Sequence, residues 1–110
     1  MATVAGGGGM VEYTITKTRA FTVLYLSGQL THLDHRTFAE IVSQISAGGD
    51  RHVIFDVGGL SYIDSSGFGM LVVANEMACK NGGEFRIRHA SAPFKELAER
   101  THASMIMKIA

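Results

Sequence analysis

The chain has 110 residues, of which 46% are hydrophobic and 18% charged; ten Lys plus Arg face ten Asp plus Glu, and the formal net charge is zero. That balance excludes a nucleic-acid groove, which needs surplus basic residues to displace counterions, and excludes docking to an anionic membrane through a basic patch. The length fits one domain with a modest core, and the hydrophobic share predicts a folded chain.

Residues 1–10 read as a disordered tail, because the run Gly6 to Gly9 carries a large ordering entropy. Met10 stands as an alternative start. The first residues lack the basic flank and long apolar stretch of a signal peptide, and no later segment is apolar for long enough to span a bilayer.

From residue 11 to residue 110 the chain reads as one domain. Val11, Tyr13 and Ile15 alternate with Glu12, Thr14 and Thr16, the pattern of a half-buried strand. Phe21 to Ser27 is a second β-rich run ended by Gly28, and the pair predicts a hairpin. Gln29 to Asp34 reads as an irregular loop, with Asp34 as the N-cap of a helix whose stripe is Phe38, Ile41, Val42 and Ile45. Gly48-Gly49-Asp50 stops that helix, and His52 to Val57 is a nearly continuous apolar run, as in a covered central strand.

Gly58-Gly59 opens a predicted loop toward Asp64-Ser65-Ser66-Gly67. Phe68, Leu71, Val72, Asn75, Ala78 and Cys79 then keep helical spacing, which predicts Cys79 as a small core side chain. A lone cysteine forms no internal disulfide, in keeping with a reducing compartment. Lys80 to Gly83 ends the helix, Glu84 to Arg88 alternates as a strand, Pro93 suits the first turn of a third helix, and Met105 to Ile109 reads as a last edge strand. The order β-β-α-β-α-β-α-β predicts an α/β fold, a mixed sheet with helices packed on it.

Asp64-Ser65-Ser66-Gly67 sits where a strand and loop give way to a helix. A helix N-terminus has free N–H groups and partial positive charge, so it tolerates a phosphate. Phosphoserine adds roughly −1.5 to −2 charges, enough to repel an acidic or apolar partner surface. The plain alternative is that Asp-Ser-Ser only caps the helix.

The stretch from Asp56 to Gly69 closely resembles the signature of STAS domains and, within them, the bacterial anti-sigma-factor antagonists. Their pattern is a strand ending in Asp, a short linker, an apolar pair, Asp-Ser-Ser/Thr-Gly-Leu-Gly and a helix. The resemblance runs from about Val11 to the C-terminus. It implies that Ser65 is the phosphoacceptor and that Asp64, Ser66, Gly67 and Phe68 lie in the partner surface. It implies a serine-kinase anti-sigma factor that binds the unphosphorylated chain and phosphorylates it, a serine phosphatase that reverses the step, and no cofactor for this chain. A cytoplasmic location follows from the same resemblance, and a homodimer is compatible with it. The sequence departs from the pattern after the second strand, where Gly28-Gln29-Leu30-Thr31 replaces Gly-Glu-Leu-Asp. Either Thr31 replaces the family aspartate at the partner surface or a short insertion moves it to Asp34. Apolar surface near Met105, Ile106 and Met107 favours pairing with another protein or copy.

An enzyme is the first rival. No Gly-x-Ser-x-Gly elbow surrounds Ser65, no phosphate loop follows Gly67-Phe68-Gly69, and no base is tied to Ser65 by sequence. A metal site at His32, Asp34 and His35 lacks a second ligand cluster. The remaining rival is a STAS scaffold or an accessory subunit of a stress-sensing or transport complex that does not switch.

Overall fold

The computed structural model describes residues 2–7, 11–48, 52–80, 82–102, 105 and 107–110. The strands are β1 (Ala2–Gly7), β2 (Val11–Lys17), β3 (Thr22–Leu30), β4 (His52–Ile63), β5 (Glu84–Arg88) and β6 (Lys108–Ile109). The helices are α1 (His35–Gly48), α2 (Ser65–Lys80) and α3 (Ala92–Arg100), and a 3-10 turn spans His32–Asp34. All six strands form a single sheet in the order β1-β2-β3-β4-β5-β6. β1, β2 and β3 are antiparallel neighbours, and β3 to β6 run parallel.

The mixed α/β sheet expected from the sequence is present, with one strand more. In place of a disordered tail, Ala2–Gly7 pair with β2 from Ala2↔Lys17 to Gly7↔Glu12. Without that strand β2 would be an exposed edge with a row of unpaired N–H and C=O groups. Glycines at Gly6 and Gly7 weaken a strand without forbidding its backbone pairing. Met1 and residues 8–10, with the alternative start at Met10, lie outside the described residues.

The three parallel crossovers all step the same way along the sheet, so a common right-handed sense lays the three helices on one face. The core lies under them. Ile15 pairs with Leu24, Leu24 with Phe55 and Phe55 with Ile87, giving a buried row across four strands. Above that row the ring of Phe55 lies 5.9 Å from Phe38 of α1 and 5.0 Å from Phe85 of β5. The opposite sheet face carries exposed Glu12, Tyr25 and Arg86, as alternation along a strand requires.

Three local expectations are corrected. The chain does not leave the sheet at Gly58; β4 continues to Ile63 and accommodates two extra residues as bulges, between Tyr25↔Asp56 and Ser27↔Gly59 and between Gly28↔Leu60 and Gln29↔Tyr62. Gly59 permits the first bend, since a Cβ there would stand 2.9 Å from the Leu26 carbonyl oxygen. Cys79 is exposed, because its neighbour Ala78 takes the inward position on α2. The last strand is only Lys108–Ile109; Met107 is buried, Met105 is exposed and Ile106 lies outside the described residues.

Candidate partner-docking site

The candidate site forms where β3 and β4 end and α2 begins. Asp64 is the residue between Ile63 and α2, and it fastens three segments. Its N–H donates to the Leu30 carbonyl at 3.2 Å, and its own carbonyl accepts the Phe68 N–H at 3.1 Å. Oδ1 accepts the Gly67 N–H at 2.8 Å, and Oδ2 accepts the His32 N–H at 3.1 Å. Nδ1 of His32 lies 3.5 Å from the same Oδ2. Burial pushes the Asp64 carboxyl up, but the bonds from Gly67 N–H, from His32 N–H and from the His32 ring together outweigh it. The carboxyl is held below the usual aspartate range and is ionised at neutral pH.

Asp64 therefore caps α2 with a carboxylate, as side-chain oxygens do for the free N–H groups of a first turn. Ser65, the first residue of α2, is exposed, and Ser66 is half-buried. Gly67 is buried because α2 starts hard against the sheet: a Cβ there would stand 2.5 Å from the Leu30 oxygen and 2.7 Å from Cγ1 of Ile63. Phe68 belongs to the core, its ring centroid 4.7 Å from that of Phe94. Gly67 and Phe68 thus position the loop from within and offer a partner no side-chain surface.

Asp34 and Thr31 also lie inside. Asp34 has no solvent exposure. Its Oδ1 accepts the Val11 N–H at 3.0 Å, and its Oδ2 accepts the Thr31 N–H at 2.9 Å and the Thr31 hydroxyl at 3.3 Å. The Thr31 hydroxyl in turn accepts the Leu33 N–H at 3.2 Å. This is a reciprocal capping box on the 3-10 turn, so Asp34 reaches back rather than capping α1. The expectation that Asp34 or Thr31 presents its side chain to a partner is corrected: both tie the start of β2 to the end of β3. The same engagement removes Asp34 from the His32, Asp34, His35 metal reading.

What the turn does present is Leu33, 64% exposed, with His32 beside it. Tyr62, 55% exposed, stands one element back on β4. Sequence reasoning passed over Leu33 and Tyr62 as site residues and weighed His32 only as a metal ligand. The signal for Leu33 was available as an apolar residue in a polar turn; the signal for Tyr62 was masked by its apolar neighbour Ile63.

Residues 12–110 match the family model described as the STAS domain. Solved structures with the same fold include an anti-sigma factor antagonist from Mycobacterium paratuberculosis, with a TM-score of 0.79 at 13% identity over 90% of this chain and 84% of that one. The anti-sigma factor antagonist SpoIIAA in its unphosphorylated form has a TM-score of 0.70 at 22% identity over 89% of this chain and 87% of that one. The Bacillus cell fate determinant SpoIIAA in its phosphorylated form has a TM-score of 0.68 at 21% identity, covering 89% and 90%.

Proposed function

We propose that this chain, which belongs to the STAS domain family, works as an anti-sigma-factor antagonist: unphosphorylated it binds a serine-kinase anti-sigma factor, and phosphate on Ser65 releases it. The observation that carries the reading is an exposed serine at the first position of a carboxylate-capped helix. A phosphate there gains the partial positive charge of the helix start. It also places roughly −1.5 to −2 charges beside the ionised Asp64, which disfavours any acidic or apolar surface pressed against Leu33 and Tyr62. A similar structure exists for both the unphosphorylated and the phosphorylated form of SpoIIAA, so the shared fold accommodates either state in that protein. A serine phosphatase resets the switch. The phosphoryl donor binds the kinase, so this chain acts without a cofactor and without catalysis of its own. Among the described residues no helix is long and apolar enough to cross a membrane, and a cytoplasmic site of action fits a kinase that uses ATP.

The test is to incubate the purified chain with ATP and a candidate anti-sigma kinase, follow the complex, and map phosphate by mass spectrometry. Phosphate on Ser65 with release of the complex is the expected result. A stable complex with Ser65 unmodified overturns the switch and favours a scaffold or accessory subunit, with the serine reduced to a helix residue.

A further inference from the structure

β4 is longer than the strand beside it. Its first residues, His52 to Asp56, pair with Glu84 to Arg88 of β5, and there that ladder ends. From Val57 to Ile63, β4 continues along β3 alone. Past β5 the chain turns to the other neighbour, with the Ala90 N–H donating to the Ala110 carbonyl. The two bulges account for the divergence, since each extra residue bends β4 and increases its twist. A strand with one neighbour presents a row of backbone N–H and C=O groups on its other side. The Gly58 N–H is already taken by the Asp56 carboxylate at 3.0 Å, so the available stretch begins at Gly59.

A groove of about 280 Å³ runs beside that edge, between β4 and α3. Val57, Ile63 and Phe94 form its buried floor, while half-buried Leu60 and Leu97 line its walls. Among the described residues its only ionic side chains are Glu96 and Arg100, and these neutralise one another at 2.8 Å. The groove therefore offers no net charge to a ligand and complements an uncharged, apolar one.

We infer that the β4 edge from Gly59 to Ile63 and the β4–α3 groove take up an extended, uncharged segment of a partner protein, which adds to the sheet as a strand in the place β5 vacates. Main-chain bonds to the edge supply affinity, and every second side chain enters the groove and supplies selectivity, the division of labour in strand addition. An amphipathic helix satisfies the groove but leaves the edge unused. The inference stands on the edge and the groove and does not depend on the switch at Ser65.

The probe is a random twelve-residue peptide library displayed on phage and selected against the purified full chain. Selected sequences are made as synthetic peptides, in parent form and with alternate backbone nitrogens methylated. The expected result is alternating apolar residues without net charge, slowed amide exchange within Gly59 to Ile63, and at least a tenfold loss of affinity on N-methylation. Leu97→Arg should lose at least tenfold as well and Leu97→Met should not, with circular dichroism confirming that both fold. No binder, a helical binder indifferent to N-methylation, or a binder that protects the α1–α2 side overturns the inference. Self-association that slows exchange in the same stretch without peptide also overturns it, and identifies the occupant as a second copy of this chain.

Discussion

His89 adopts φ of 60°, and its Nδ1 lies 2.8 Å from Oδ2 of Asp56. A left-handed backbone is uncommon for a residue other than glycine and persists only where the surroundings hold it. Here the holding group is a buried carboxylate that also receives Arg88 Nε at 2.9 Å and the Gly58 N–H at 3.0 Å. Arg88 continues to the Tyr25 hydroxyl at 3.1 Å. The β5–α3 connection is thereby fastened to the middle of β4.

The fastening sets a pH dependence. Burial pushes the Asp56 carboxyl up, but the bonds from Gly58, Arg88 and His89 outweigh it and hold it below the usual aspartate value of 3.8. Arg88 is held above its ordinary value, chiefly by its bond to Asp56. A carboxyl depressed on folding contributes stability that is complete above the unfolded-state value and is lost as pH falls through the lower, folded-state one. Asp56→Asn is expected to cost about 1–3 kcal/mol at pH 7 in urea denaturation. The gap to the unmodified chain should close as pH falls below 3.8. A gap that stays constant into acid contradicts this account.

Gly67 and Gly69 share one helix and differ in surroundings. Gly67→Ala forces a Cβ to within 2.5 Å of the Leu30 oxygen, whereas nothing lies within 4 Å of a Cβ at Gly69. Gly67→Ala is expected to lower stability by about 1–3 kcal/mol through overpacking. Gly69→Ala is expected to raise it by about 0.5–1 kcal/mol through helix propensity. Thermal melts of the two variants side by side decide the matter, and equal shifts would show that the close approach at Gly67 is unimportant.

Asp34 and Leu33 are adjacent and serve different ends. Asp34→Ala leaves the Val11 and Thr31 N–H groups buried without their acceptor, at a cost of about 1–3 kcal/mol for each unsatisfied group. Leu33→Ala removes an exposed side chain and should leave stability within about 0.5 kcal/mol. If the turn faces the proposed kinase, Leu33→Ala weakens that complex by calorimetry while the melting curve stays in place. Unchanged affinity removes Leu33 from the docking surface.

Ser65→Asp separates folding from binding in the same way. A carboxylate in the first turn of a helix gains about 0.3–1 kcal/mol from the helix dipole, offset in part by neighbouring Asp64. Stability should therefore hardly move, while affinity for the proposed kinase falls and Ser65→Ala retains it. Equal binding by both variants would argue against exclusion by charge.

Much of this architecture was legible in the sequence, because periodicity reports which face of an element is buried. The stripes at Phe38, Ile41 and Ile45 and at Phe68 and Leu71 lie in the core as their spacing predicts. Ser65 was singled out through its motif, and the structure leaves it exposed at the start of α2. What was not legible depends on contacts made at a distance. The burial of Asp34 follows from Val11, twenty-three positions earlier, which no local pattern reports. Gly58-Gly59 is ordinary loop chemistry by composition, and only the neighbouring β3 backbone turns it into a bulge. Ala2–Gly7 lack a strand signal because the pairing is supplied by the β2 edge rather than by their own side chains.

The length of β4 also bears on how the molecule assembles. β2 and β3 meet through a short connection, with the Thr18 N–H bonded to the Phe21 carbonyl, so that hairpin closes a small loop. β4 has no such advantage, since Thr22 meets Val53 only across the whole of α1 and His52 meets Glu84 only across α2. Loop-closure entropy must be met before those parallel ladders return any energy, which makes them slow. The strand whose open edge faces the groove is thus seated after the β2–β3 hairpin has closed, and its far end is held by β3 alone.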